Sequence, residues 1–82
     1  GGRPPVVTKA VAFASPPATN DDIERFYTHL QRIMVATGFL DPAQPKRLMP
    51  KLRRLFSRAE LERDEINILR GILDAVEKKL DQ

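Results

Sequence analysis

Side chains recur at the spacing of one helical face in three separate runs of this chain, and proline stands between the runs. In the first run Ile23, Phe26, Tyr27, Leu30, Ile33, Met34 and Thr37 fall on one side of a helix. Thr19-x-x-Asp22 opens it as a capping box, with carboxylates at the positive end of the helix dipole. Gly38 supplies a left-handed cap, and Phe39 and Leu40 follow as the hydrophobic residues that fold back on it. Asp41-Pro42 and Pro45 then make a loop.

The second run, roughly Leu48 to Ala59, carries a stripe of Leu48, Leu52, Leu55, Phe56 and Ala59. Pro50 belongs in its first turn, where no amide partner is lost. One extra short helical turn at 45–48 is compatible with the spacing. The third run, about Glu62 to Leu80, places Ile66, Leu69, Ile72, Leu73, Val76 and Leu80 on one face, with Leu61 packing on Ile66 as a staple. Gly71 sits inside it at a cost of about 1 kcal/mol relative to Ala. The expected fold is all-α: a small three-helix bundle over 19–82, preceded by an extended Pro-rich N-terminal arm or linker over 1–18. Two readings of that segment stand: a tether, or an arm whose Val7, Val11 and Phe13 dock on a surface.

Eighty-two residues hold one such bundle and no second core. The absence of cysteine excludes disulfides, thiol catalysis and Cys-type zinc sites, and fits a reducing cytoplasm. The single histidine, His29, leaves no imidazole pair, and there is no phosphate loop or nucleophile–base constellation. The expectation is a domain with no catalytic residue, no metal and no cofactor of its own. No apolar run approaches the roughly 20 residues of a membrane span, and no leader pattern appears. Glu60, Glu62, Asp64 and Glu65, at the start of the third helix, read as partners of its dipole.

Charge is the informative feature. Residues 46–58, KRLMPKLRRLFSR, contain six cations and no acid, so eight basic residues face eleven acidic ones in the rest of the chain. At 100° per residue Arg47, Lys51, Arg54 and Arg58 line one flank of the second helix, with Lys46 and Arg53 on the opposite flank. Like charges one turn apart repel by a few tenths of a kcal/mol per pair. A polyanion relieves that repulsion and releases its own counterions, and the arginine fork matches phosphate oxygens in pairs. The candidate RNA-binding residues are Lys46, Arg47, Lys51, Arg53, Arg54 and Arg58, with Asn67 and Arg70 of the third helix extending the face. A solvated face, or one docked on an acidic protein surface, remains the alternative.

Three blocks in order, DDIERFYTHLQRIMVATGFL, LMPKLRRLFSRA and EINILRGIL, resemble the C-terminal helical domain of the bacterial tRNA (cytidine/uridine-2′-O)-methyltransferases of the TrmJ family, over roughly 19–76. The resemblance implies a cytoplasmic parent enzyme with an N-terminal SPOUT domain, a knotted α/β fold that binds S-adenosylmethionine and dimerises. It implies 2′-O-methylation of a ribose in the tRNA anticodon loop, with tRNA as partner. This chain then corresponds to the substrate-binding domain alone, inactive by itself, and the matching Lys51, Arg53, Arg54, Arg58 and Arg70 become the expected tRNA contacts. A dimerisation or protein-interaction module touching the catalytic domain is the rival expectation.

Overall fold

The computed structural model describes residues 14–82 and contains three helices: α1 (Asn20–Ala36), α2 (Leu48–Ala59) and α3 (Arg63–Leu80). Val7, Val11 and Phe13 lie outside the described residues. The all-α bundle is as expected, and among the described residues the extended segments meet only in an isolated bridge between Pro17 and Glu62. No helix in this part of the chain is long and apolar enough to cross a membrane.

Each helix end can be traced to a residue. The Asp22 amide donates to Thr19 Oγ1 at 3.1 Å and the Thr19 amide to Asp22 Oδ2 at 3.2 Å, closing the capping box. That backbone donor holds the Asp22 carboxyl below its usual range. At the other end Gly38 adopts φ 85°, which only glycine enters freely, and the Gly38 and Leu40 amides turn back to the Val35 and Met34 carbonyls. Leu40 is buried by this turn. Phe39, expected to fold back with it, points to solvent and is 72% exposed.

The α2 helix begins with Arg47 as a cap whose side chain makes no capping bond, and Pro50 occupies its first turn. The turn before it is a single bond from the Leu48 amide to the Pro45 carbonyl, with Lys46 at φ 55°. Glu60 ends α2 in the left-handed region, φ 51° and ψ 61°. One residue later than anticipated, α3 starts at Arg63. Glu62 is its cap, with the Glu62 amide donating to Glu65 Oε1 at 2.8 Å. The first amides of α3, which no helical carbonyl can reach, find partners upstream: Arg63 N–H donates to the Pro16 carbonyl and Asp64 N–H to Ser15 Oγ. Ala18 N–H and Ser15 N–H return bonds to the Leu61 carbonyl and the Glu62 carboxylate.

The helices α1 and α3 run side by side in the same direction. Asp22 faces Arg63 near their starts, and His29 and Arg32 meet Glu77 further along. The core between them is Phe26, Tyr27, Ile33, Ile66 and Leu73. The antiparallel α2 helix has no fully buried side chain; it inserts Met49 and Phe56 against the core, the Phe56 ring standing edge-on to Phe26 at 5.1 Å. Leu55, Ile72 and Leu80, read from spacing as core positions, are 48%, 55% and 42% exposed. Their apolar stripes are wider than the sector that a single neighbouring helix covers.

His29, by contrast, is 3% exposed. Its Nε2 lies 3.1 Å from Glu77 Oε1 and 3.6 Å from Asp74 Oδ1, while the Arg32 guanidinium donates to both Glu77 oxygens at 3.0 and 3.2 Å. The Arg32 bond, then the His29 bond, holds the Glu77 carboxyl below its usual range.

A carboxyl whose pKa is lowered by folding stabilises the fold above its unfolded value and ceases to do so as pH falls through the folded value. The carboxyl contribution to stability should therefore be fully present above the ordinary carboxylate range and decline on acidification, and replacing Glu77 by Gln should remove part of that decline in urea titrations at stepped pH. Gly71 has nothing within 4 Å of where a Cβ would stand and does not need positive φ. Gly71→Ala is expected to stabilise α3 by about 1 kcal/mol, read as a raised unfolding midpoint.

Candidate nucleic-acid interface

The sequence of α2 has no acid in twelve residues, so its outward side is cationic by construction. Arg47, Lys51, Arg54 and Arg58 are exposed, and among the described residues none has a carboxylate oxygen within 4.0 Å. The row leaves its guanidinium and ammonium donors directed at water. Lys46 joins it by a different route from the one that helical geometry gives. Its left-handed backbone takes it out of the helix, and it lines a shallow depression of about 410 Å³ together with Arg47 and Lys51, floored by Leu40 and Leu48.

Arg53 is arranged differently. Its guanidinium forms a forked pair with Glu24 of α1, at 2.8 and 3.0 Å, and lies 4.5 Å above the centre of the Tyr27 ring. The Tyr27 hydroxyl donates to the Arg53 carbonyl at 3.3 Å. The forked bond holds the Glu24 carboxyl below its usual range and raises Arg53, while burial pushes the Tyr27 hydroxyl up. The residue thus clamps α2 to α1 through charge, ring face and backbone at once.

Asn67 is exposed on α3. Arg70 is half-buried and lines a cleft of about 450 Å³ with Arg25, Thr28 and Arg32 of α1; none of the α2 cations reaches it. The structure therefore separates Arg70 from the α2 row, where spacing alone joins them into one face: the α1–α3 cleft is of mixed charge, with Asp21 and Glu24 lining it beside the three arginines and Arg32 already bound to Glu77.

Three ligand atoms on His29, Asp74 and Glu77 lie within 4.8 Å of one another. Arg32, bound to both oxygens of Glu77, already supplies positive charge at this cluster, so the donor set reads as a polar network bridging α1 and α3, in which the buried His29 Nδ1 has no partner among the described residues. Sequence reasoning passed over the burial of His29. The signal was its position, three residues after Phe26 and four before Ile33, within the inward arc of α1.

Known proteins similar to this chain in sequence and shape are considerably longer than it. A tRNA (cytidine/uridine-2′-O-)-methyltransferase TrmJ of Pectobacterium atrosepticum is 53% identical over 68 residues, which is 83% of this chain and 28% of that protein. The Klebsiella pneumoniae protein of the same name is 54% identical over 59 residues, 72% of this chain and 24% of its own. A solved structure of a probable methylase family protein from Haemophilus influenzae Rd KW20 superposes with a TM-score of 0.75 at 36% identity, over 90% of this chain and 30% of that one. The chain therefore spans less than a third of the length of these relatives. The family described as tRNA methyltransferase TrmJ, C-terminal domain, matches residues 21–82, and the chain belongs to it.

Proposed function

We propose that this domain holds tRNA for a ribose 2′-O-methyltransferase, with α2 laid along the phosphate backbone. The observation that carries the proposal is the row Arg47, Lys51, Arg54 and Arg58, with Lys46 at its start. These are exposed cations with no acid within ion-pair distance among the described residues. Cations aligned at i, i+4, i+7 and i+11 destabilise their own helix, and neutralisation by phosphate reverses that cost while releasing counterions from the RNA. Arg70, with Arg25 in the same mixed-charge cleft, offers a second phosphate contact between α1 and α3, and Asn67 a polar one on the neighbouring surface. Arg53 acts through Glu24 and Tyr27, fixing the angle at which α2 presents the row.

In this reading the parent protein brings the chemistry. A SPOUT domain binds S-adenosylmethionine, and in a homodimer it transfers the methyl group to a cytidine or uridine ribose of the anticodon loop. The helical domain contributes orientation: a tRNA gripped by its backbone presents one 2′-hydroxyl to the catalytic domain, so that a bimolecular encounter becomes an intramolecular one. The names of the Pectobacterium and Klebsiella relatives, both tRNA methyltransferases, support the substrate.

A second reading, a protein-interaction or dimerisation module set against the catalytic domain, is supported by one observation. Leu55 of α2 and Ile68 and Ile72 of α3 are large apolar side chains left at the surface. Sedimentation of the domain separates the two readings. A tight dimer indifferent to Arg54→Glu and Arg58→Glu is the outcome that the second reading expects and the first does not.

For the first, titration with tRNA should give log–log salt plots of steep negative slope. Replacing Arg54 and Arg58 by Ala should flatten the slope by roughly 0.7–0.9 for each phosphate that is no longer neutralised. Equal binding at low and high salt would sink the RNA reading.

A further inference from the structure

On the side of α2 that faces away from the cation row, where its end meets the start of α1, lies an open cavity of about 610 Å³. The size is within the roughly 300–1,000 Å³ of small-molecule sites. Ile23, the half-buried Phe56 and the nearly buried Tyr27 give it an apolar, partly aromatic floor, and Asn20, Ser57, Glu60 and Glu62 line its polar side. Such a floor takes the flat face of a ring, and the polar side takes the ring's polar edge.

Glu60 decides what kind of ring. Its carboxylate has no hydrogen-bond or ion-pair partner among the described residues, whereas the neighbouring Glu62 accepts from the Ser15 amide. A free carboxylate repels phosphate and accepts from N–H groups, so it selects the base of a nucleotide over its backbone. Glu60 also has φ 51° and ψ 61°, at a helix end where glycine is the unstrained residue. A charged side chain kept in a backbone conformation that disfavours side chains, at the mouth of a cavity, is the kind of strain that accompanies a binding site. Arg58, the last cation of the row, is two residues before Glu60, so a strand held there crosses the end of α2 to reach the rim.

The geometry points to a pocket for one unpaired nucleobase of the bound RNA, guanine above the others, since its N1–H and N2–H donors match both oxygens of the Glu60 carboxylate. This inference rests on the RNA-binding reading and adds a base-reading element to a surface that otherwise grips only phosphate.

The test uses this 82-residue chain and two short single-stranded RNAs, one all uridine and one identical except for a central guanosine, titrated at several salt concentrations. The guanosine strand should bind at least tenfold more tightly, with the same salt slope. Glu60→Gln, which sets an amide donor against guanine's donors, should abolish the preference and leave the slope unchanged. Glu60→Gly, which relieves the backbone at this position, should raise the unfolding midpoint and still lose the preference, an outcome that a purely structural role for Glu60 does not produce. Equal affinity for the two strands, or a preference that survives both substitutions, overturns the pocket while leaving salt-dependent RNA binding standing. Failure of both strands and of tRNA to bind at low salt overturns the RNA reading and the pocket with it.

Discussion

The forked bond from Arg53 to Glu24, with the guanidinium over Tyr27, ties α2 to α1. Burial does less for this helix than for the other two, because none of its side chains is fully removed from water; Met49 and Phe56 pack against the core, the latter edge-on to Phe26. An exposed ion pair is ordinarily worth little. This one is bidentate, lies on an aromatic face, and shares its residue with a backbone carbonyl held by the Tyr27 hydroxyl.

The cost of that arrangement falls on the cation inventory. Of the five cations on α2 and its cap, Arg53 is committed to the fold, and Arg47, Lys51, Arg54 and Arg58 are left unpaired among the described residues. The split follows helical geometry: Arg53 is on the flank turned toward α1, and the other four are on the flank turned away. A helix so basic is kept at the surface by its own charge, since burying any of the four would mean desolvating an unpaired cation. Weak packing and a free cationic row are two results of one composition.

Much of this was legible in the sequence because it is local. The capping box at Thr19 and Asp22, the glycine turn at Gly38 and the first-turn Pro50 are decided by residues within a turn of each other. The order of three sequence blocks pointed to the family. What was not legible depends on contacts between distant segments. Glu24 and Arg53 are 29 residues apart, and nothing on α2 announces which of its arginines will find an acid. The parting of Arg70 from the α2 row depends on which side of α1 receives α3, and spacing along one helix does not contain that information. Lys46 strayed from its helical bearing through a positive φ that its residue type does not encode. The exposed Ile72 and Leu80 show the converse limit: periodicity reports how wide an apolar face is, and only packing reports how much of it is used.

The four hydrogen bonds between Ser15–Ala18 and the stretch Leu61–Asp64 have a mechanical consequence. They join the incoming chain to the first turn of α3 as well as to α1, which it enters by covalent continuity. A pull on the chain at Ser15 is thereby shared between two parallel rods and not borne by the start of α1 alone.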